Sequence, residues 1–381
     1  AAFEALSGDP SWRPKVKVPW PVSLLGALAC LAVMLQINAM VGSAALVLEL
    51  GLWALLSRKE RSARWGDARR GLYESLIRWS LVRLKKHPMT PRNWRPHMLV
   101  FVPELVSHLD LIRFACWFGQ GRGLVTVCEL LEGSLEDDID ILAREGAMQQ
   151  VLDRENLTVF AEINVVDEVV AGIVNVTQAN GMAGIASNTV LLGWPDDLER
   201  RAAFLKVMVR LEQLKKSFIM GRIRPRHLFP REGISHTIDI WWGGLQRNGD
   251  LMLLLAYLLT RNARWREATV RVLSIASDEH EQKRTTRFLD ALVPQIRIEA
   301  APKVFLRDPA LTIHEMIQAE SATADMVFFG MGTPEPGQEL AYAQRLEEIA
   351  GELPTVFFVK NQNLFVGDLL SPADDPQDGH A

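Results

Sequence analysis

Cysteine is scarce in this sequence of 381 residues, which contains only Cys30, Cys116 and Cys128. Three cysteines cannot all pair with one another, and no CxxC motif or Cys/His cluster has the spacing of zinc ligands. We therefore predict free thiols in a reducing compartment, without a disulfide framework and without a structural metal.

Catalytic motifs are also absent from the sequence. No Ser/His/Asp or Cys/His set lies in the context of a known catalytic motif. The histidines His108, His236, His280 and His314 are scattered over predicted helices and strand ends, where solvated or capping roles suit them. We predict that the chain is not an enzyme, and that it has no catalytic residue, no metal ligand and no cofactor.

Glycines that follow strands are the remaining places where a nucleotide phosphate could bind. The candidates are Gly193 and the pair Gly330 and Gly332, but neither matches the GxGxxG pattern or a P-loop. Acidic residues that would repel an anion follow both turns, for example Asp196 and Glu335. We interpret both places as tight turns, with a nucleotide site as the alternative.

Positive charge is concentrated in one stretch of a chain whose net charge is −4. Residues 58–95 contain twelve Lys or Arg and three acids, a local charge of +9. The charges of residues 1–57 cancel, so residues 96–381 carry a net charge of −13. A basic stretch beside a membrane attracts anionic lipid headgroups, whereas the acidic remainder argues against nucleic acid as a partner.

The longest apolar run extends from Val18 to Ser57 and contains Glu49 as its only charged residue. One transmembrane helix needs roughly 20 apolar residues, and this run is about twice as long. Four polar or small residues interrupt it near the middle: Gln36, Asn38, Gly42 and Ser43. We therefore predict a transmembrane hairpin over residues 19–57, with Pro19–Gln36 and Val41–Ser57 as its two helices.

Cationic residues flank the predicted hairpin on both sides and are absent from its turn. Arg13, Lys15 and Lys17 precede it, and Arg58, Lys59 and Arg61 follow it. This pattern places both ends in the cytoplasm, with residues 1–18 as a cytoplasmic connection. A buried hairpin of a soluble protein is the alternative.

Two short helices cannot form a transporter by themselves, and the chain begins with Ala1 rather than Met. We therefore expect the C-terminal part of a longer, multi-pass protein of the inner membrane, whose other transmembrane helices are missing from this chain. Carboxylates inside a membrane are costly and often functional, so Glu49 either has a functional role or pairs with one of those helices.

A basic linker, residues 58–94, follows the hairpin. Trp65–Lys86 has helical periodicity, and its apolar stripe consists of Leu72, Leu76, Ile77, Leu81 and Leu84. Such a helix either lies on the bilayer or packs on the next domain. The three prolines of His87–Pro96 end it.

From His97 onward, short apolar strands alternate with amphipathic helices. Near-continuous apolar strands of this kind are typical of a parallel sheet that is covered on both faces. We predict an α/β fold with two lobes, residues 95–230 and 231–370, each with a mainly parallel sheet. Residues 371–381 form a disordered tail.

Three details of this scheme are specific enough to test. Asp196–Met220 is predicted to be one long helix, and WWGGLQRNGDL (Trp241–Leu251) an edge strand that turns sharply into a helix. Glu162 and Asp239 lie within apolar strands, where a carboxylate needs a partner unless it is at a strand end.

Several segments resemble the C-terminal cytoplasmic domain of the cation-chloride cotransporter family, especially its prokaryotic members. The family is part of the amino acid–polyamine–organocation superfamily of transporters, which also includes amino acid permeases. The segments are GWPDDLE, IDIWWGGLQRNGDLMLLLAYLLTRNARWREATVRVLSIA, ADMVFFGM and LPTVFFVKNQNLF. WSLVRLKKHPMTPRNWRPHMLVFV resembles the family's entry into that domain, and the hairpin resembles its last two transmembrane helices.

The resemblance implies two lobes similar to universal stress proteins, a homodimer formed through the cytoplasmic domain, and regulation of an attached carrier. The helices that hold substrate and ions in that superfamily are absent here, so no transport residue is carried over. The glycine motif of ATP-binding stress proteins is not matched either. The rival hypotheses are a membrane-tethered nucleotide sensor and a membrane-anchored α/β enzyme.

Overall fold

The structure is a computed structural model that describes residues 18–59, 68–87, 89–90, 94–134, 140–181, 185–224, 236–243, 246–295 and 299–362. The predicted N-terminal connection up to residue 17 and the predicted tail 371–381 lie outside the described residues, as does the proposed boundary between the lobes near residue 230. The chain divides into two compact units, Ala1–Pro88 and Met89–Ala381.

The first unit contains two apolar helices, α1 (Trp20–Ile37) and α2 (Ala39–Lys59), which meet at Asn38. Asn38 has extended backbone angles, and its side-chain oxygen accepts hydrogen bonds from the amides of Met40 (3.1 Å) and Val41 (3.2 Å). Asn38 therefore ends one helix and caps the next. A side chain at Gly42 would approach the Met34 carbonyl oxygen to 3.2 Å, so the glycine lets α2 pass close to α1.

The transmembrane nature of this hairpin stays a prediction. Within the part of the chain that the structure describes, no helix meets the length and apolarity needed to cross a membrane.

Helix α3 (Ala68–Leu84) follows in the same unit and carries the exposed ion pair between Arg70 and Glu74. Two residues of the predicted stripe, Leu72 and Leu81, are half-buried, whereas Leu76 and Ile77 are 52% and 57% exposed. The predicted first turn, residues 65–67, lies outside the described residues.

The second unit is built on one sheet of ten strands in the order β3-β2-β1-β4-β5-β10-β9-β6-β7-β8. The strands are β1 (Met98–Val102), β2 (Val125–Glu132), β3 (Phe160–Val166), β4 (Thr189–Gly193), β5 (Ser217–Ile223), β6 (Thr237–Trp241), β7 (Thr269–Ala276), β8 (Ala300–Leu306), β9 (Met326–Gly330) and β10 (Thr355–Lys360). Among the described residues, every strand pairing is parallel except that of β5 with β10.

Helices alternate with these strands. They are α4 (Leu109–Gly119, after a 3-10 turn at Val106–His108), α5 (Ile141–Arg154), α6 (Val169–Ala179), α7 (Leu198–Gln213), α8 (Gln246–Thr260), α9 (Glu279–Gln295), α10 (Ile313–Glu320) and α11 (Glu339–Ala350). The α/β fold with a mainly parallel sheet is therefore confirmed.

The ten-stranded sheet consists of two halves with the same internal strand order. Strands β1–β5 are ordered 3-2-1-4-5, and strands β6–β10 follow the same order from the opposite edge. The two halves meet at the antiparallel β5–β10 pair, so the predicted lobes share one continuous sheet. Gly221 makes this pairing possible, because a side chain there would lie 2.6 Å from the ring of Phe357.

The hydrophobic core also continues across the junction on both faces of the sheet. On one face Phe357 of the second half packs against Phe114 (5.0 Å between ring centroids) and Phe118 (5.5 Å) of the first. On the other face Phe358 stacks on Trp194 at 5.2 Å. The helix pairs α4–α8 and α7–α11 cover these two faces of the junction.

Two of the predicted elements are wrong. The long helix over Asp196–Met220 ends at Gln213, and Ser217–Ile223 is strand β5. Lys215 lies in the left-handed region with φ +54°, which stops the helix and redirects the chain. The predicted edge strand at WWGG is β6, which ends at Trp241. It is not at an edge, because it pairs with β7 on one side and β9 on the other.

Candidate functional site

In parallel α/β sheets, ligands bind at the carboxyl ends of the strands, where the strand order reverses. The first half has such a crevice between β1 and β4, and the second half has its equivalent between β6 and β9. Gly193 ends β4 and Gly330 ends β9, so the two predicted glycine turns occupy corresponding places. The two crevices nevertheless differ in what fills them.

The turn at Gly330 packs closely against one of the protein's own side chains. A side chain at Gly330 would come within 3.0 Å of Asn248, which is itself 3% exposed. The Gly332 amide donates a 2.9 Å hydrogen bond to the hydroxyl of Tyr342, and Met331 between the two glycines is fully buried. These contacts make the pair a tight turn, and Gly330 and Asn248 line one side of a mainly apolar cavity of about 350 Å³.

The NGDL stretch supplies the residue that closes this turn. Asn248 donates a hydrogen bond to the Met331 carbonyl (2.8 Å) and accepts one from the Asn361 amide (2.9 Å). It thereby connects the ends of β9 and β10. The next residue, Gly249, lies against the indole of Trp242, which would be 2.2 Å from an added side chain. The specific WW…NGDL pattern is therefore explained by packing.

The crevice at Gly193 is open, with a volume of about 410 Å³. Its walls are mainly apolar and come from β1, β2, β4, α6 and α7, with Phe101, Leu130, Ile173 and Phe204 among them. Asp196 and Asp197 lie at its mouth, and Asp197 caps α7 by accepting a 2.7 Å hydrogen bond from the Arg200 amide. The acids that follow Gly193 in the sequence therefore line this crevice, where they oppose an anion, and Arg200 lines it beside them.

His108 lies beside Gly193. A Cβ atom added at Gly193 would be 3.6 Å from the ring carbon Cδ2 of His108. Its Nδ1 is 2.9 Å from the carbonyl oxygen of Glu104. A carbonyl accepts only, so Nδ1 carries a proton and Nε2 is left as the second polar atom of the ring. His108 lines this crevice and the larger cavity next to it, a place that its sequence context does not indicate.

The larger cavity, of about 820 Å³, lies where the two halves of the sheet meet. Trp194 lines it, with the Arg201 guanidinium 4.3 Å above the indole ring. Arg201 also donates to the Pro195 carbonyl (3.0 Å) and forms an ion pair with Glu347 (2.6 Å). Arg222 reaches the same Glu347 at 3.7 Å. Burial lowers the pKa of both arginines from its usual value.

The two strand carboxylates singled out from the sequence, Glu162 and Asp239, have different surroundings. Asp239 is fully buried in the middle of β6 and forms a bidentate ion pair with Arg271 (2.7 and 2.6 Å) and a hydrogen bond with Ser321 (2.7 Å). A strand-end position does not explain it, contrary to the interpretation from sequence. Glu162 lies on the edge strand β3, where burial, followed by the charge of Glu145, raises its pKa.

Two of the three free thiols, those of Cys116 and Cys128, are partly or fully buried. Burial raises the pKa of Cys116 to about 11 and that of Cys128 to about 12. Among the residues that the structure describes, no group of three or more His, Cys, Asp or Glu side chains is arranged to hold a metal.

Known proteins match the chain in sequence and in fold. Residues 206–309 match the model of a protein family described as Solute carrier family 12. The crystal structure of the cytoplasmic domain of a prokaryotic cation chloride cotransporter has the same fold, with a TM-score of 0.52 and 19% identity. That match covers 73% of this chain and 99% of the other chain. The chain is therefore similar to cation-chloride cotransporters, in sequence over residues 206–309 and in fold over 73% of its length.

The resemblance drawn from the quoted segments is therefore confirmed. A universal stress protein from Archaeoglobus fulgidus DSM 4304 is similar over 70% of this chain, with 15% identity, a TM-score of 0.43 and 96% of its own length covered. A protein of unknown function from Pseudomonas aeruginosa PAO1 is similar over 71% of this chain, with 15% identity, a TM-score of 0.44 and 94% of its length covered.

Proposed function

We propose that this chain is the C-terminal portion of a secondary transporter of the cation-chloride cotransporter type. In this proposal Met89–Ala381 is the cytoplasmic regulatory and dimerisation domain, without catalytic activity and without a cofactor. The observation that carries the proposal is the combination of the family match with the fold, which covers 99% of a cotransporter's cytoplasmic domain.

The unit that precedes the sheet is the part that this proposal attaches to the membrane. Helices α1 and α2 are apolar and are joined by a single residue, and Glu49 is their only acidic residue. We place both helices in the inner membrane beside the transmembrane helices of the remaining protein. The two ends that lie away from the Asn38 turn would be in the cytoplasm. The anionic headgroups of the bilayer would then face the basic stretch 58–95.

Among the described residues, helix α3 is the element that follows the two apolar helices and precedes the sheet in the sequence. Several of its apolar side chains are exposed to solvent. Leu76, Ile77 and Trp79 are each more than half exposed in the single chain. Covering large apolar side chains contributes about 1.5–3 kcal/mol each, which favours association. We therefore propose that α3 extends the homodimer interface of the cytoplasmic domain, where these side chains are covered, and passes movements of that domain to the carrier.

The double variant Leu76→Asp/Ile77→Asp tests this role. We expect it to shift the chain, purified in detergent, from dimer to monomer in analytical ultracentrifugation, because two charges replace apolar contacts. We also expect altered chloride uptake by the intact carrier in proteoliposomes, with the circular dichroism of the sheet domain unchanged.

Leu142→Asp/Leu340→Asp is the matched control, since it changes two leucines that are also exposed (81% and 50%) but lie on α5 and α11. This control should leave the fraction of dimer in ultracentrifugation and the rate of chloride uptake unchanged. A wild-type chain that is monomeric at high concentration, together with normal uptake by the double variant, would refute the regulatory role.

A nucleotide-sensing domain of the universal stress protein type is the second candidate. The open crevice at Gly193, at the point where strand order reverses, is the observation that favours it. The carboxylates of Asp196 and Asp197 at its mouth count against a phosphate ligand, so we rank this function second.

A further inference from the structure

The crevice at Gly193 is a cavity of about 410 Å³ at the carboxyl ends of β1 and β4, where the order of the strands reverses. Open α/β sheets bind small molecules at this place, and the volume lies in the range of such sites. The second half has a cavity of about 350 Å³ at the corresponding place, beside Gly330. Different side chains line the two cavities, so the opening is a feature of the fold and not a packing defect at one position.

The inner wall of the crevice at Gly193 is apolar. Phe101 at the end of β1 and Leu192 at the end of β4 are 6% and 1% exposed, and Phe204 of α7 is 7% exposed. Leu130 and Val169 in the same wall are only partly buried. An apolar ring suits this wall, because it would cover these two side chains, whereas a charged group would lose its hydration there.

The charged side chains at the mouth of the crevice offset one another. Asp196 and Asp197 line it together with Arg200, and the charge of Arg201 also acts on both acids. Arg201 itself lines the larger cavity at the junction and forms its ion pair with Glu347. The mouth therefore has no surplus of positive charge that would attract an anionic ligand.

The wall contains a hydrogen-bond acceptor, the Nε2 atom of His108. The Nδ1 atom of this ring lies 2.9 Å from the carbonyl oxygen of Glu104, which can only accept, so Nδ1 carries the proton of the neutral ring. Nε2 is then an acceptor, and no described residue donates to it. It lies 4.0 Å from the position of a Cβ atom added at Gly193, at the edge of the crevice. A ligand in the crevice can therefore satisfy Nε2 with a donor.

We propose that this crevice binds a small uncharged molecule with an apolar ring, which fills the space between β1, β4, α6 and α7 and donates one hydrogen bond to Nε2 of His108. Sites for small molecules combine apolar walls with a few polar groups that fix the orientation of the ligand. A nucleotide does not fit this description, because its phosphates are anionic. This inference goes beyond the proposed function and does not rest on attachment to a carrier.

Three probes with the same naphthalene ring test the proposal by calorimetry on the full chain in detergent, after subtraction of a titration into detergent alone. 2-Naphthol has a hydroxyl donor, 2-methoxynaphthalene has the same oxygen without its proton, and 2-naphthoate is anionic. We expect 2-naphthol to bind with a dissociation constant of about 1 mM, as is usual for a molecule of this size. It should bind about fivefold more tightly than either of the others, the change that one hydrogen bond accounts for. If 2-naphthol does not bind, or if another probe binds as tightly, the proposal is wrong.

Variants at His108 separate the hydrogen bond from a purely structural role of this residue. His108→Phe keeps a ring but removes the acceptor, so its affinity for 2-naphthol should fall to that for 2-methoxynaphthalene. His108→Gln returns an acceptor oxygen near the place of Nε2 and should restore part of the difference. A structural role alone would weaken the binding of both probes equally. An unchanged ratio of the two affinities in His108→Phe would overturn the assignment.

A larger side chain in the wall locates the site. Val169 is the first residue of α6, lines the crevice and is partly exposed, so Val169→Trp fills the crevice without replacing a fully buried side chain. This variant should lose the binding of 2-naphthol while its melting temperature shows that it is folded. Leu142→Trp, a change at an 81% exposed position of α5 outside the crevice, is the matched control and should bind like the wild type. Wild-type binding by Val169→Trp would show that the probe binds elsewhere and that the proposal is wrong.

Discussion

At the scale of single residues, the most specific sequence pattern of the chain is explained by close packing. Trp242 and Gly249 are neighbours because the helix backbone at Gly249 leaves space for an indole ring. Asn248 holds the ends of two strands with two hydrogen bonds. The pattern could be recognised from the sequence, but its reason could not, because the partners Met331 and Asn361 lie about a hundred residues away.

Gly249→Ala should destabilise the fold although alanine is the better helix former. The gain in helix propensity is about 1 kcal/mol, whereas a side chain 2.2 Å from the Trp242 ring forces repacking that costs typically about 1–3 kcal/mol. We expect a net loss in the free energy of unfolding, measured by urea denaturation. Gly146→Ala on α5 is the control, since nothing lies within 4 Å of it, and it should stabilise slightly. Equal effects of the two changes would contradict this account.

At the scale of elements, the parallel strands were predictable because buried apolar runs separated by amphipathic helices have few other solutions. Strand β5 was missed for a local reason. The apolar pattern of α7 continues into Ser217–Ile223, and the break depends on a left-handed lysine, Lys215, which has no sequence signature. With β5 missing, the antiparallel junction and the cavity beside Arg222 could not be predicted either.

The junction of β5 and β10 should make the two halves unfold together. Phe357 is fully buried and contacts aromatic rings of both halves, so Phe357→Ala should cost about 3–5 kcal/mol. We expect the Phe357→Ala variant to unfold in a single urea transition at a lower urea concentration than the wild type. The transitions followed by fluorescence and by circular dichroism should coincide. The exposed change Leu142→Ala should alter the free energy of unfolding by less than about 0.5 kcal/mol. Two separate transitions, with only one of them shifted, would show that the halves are independent.

At the scale of the whole molecule, the nucleotide-sensor hypothesis and the transporter hypothesis differ in the ligand they require. One predicted glycine turn packs against Asn248 beside a mainly apolar cavity, and the other opens toward Asp196 and Asp197. We expect the chain to bind ATP more weakly than a dissociation constant of about 10 μM in calorimetry, which corresponds to roughly −7 kcal/mol. Asp196→Asn should bind ATP more tightly than the wild type, because it removes one repelling charge. Tight binding by the wild-type chain would favour the sensor.

The central claim is that the sheet domain is the cytoplasmic part of a membrane carrier, and it depends on the topology of α1 and α2. Single cysteines at Ala39, Lys15 and Lys59, in a variant without the three native cysteines, can be labelled in intact cells with a reagent that does not cross the membrane. We expect labelling at position 39 alone, because the turn at Asn38 faces the outside and both basic flanks remain inside. Labelling at positions 15 and 59 but not at 39 would contradict the topology, and the transporter proposal with it.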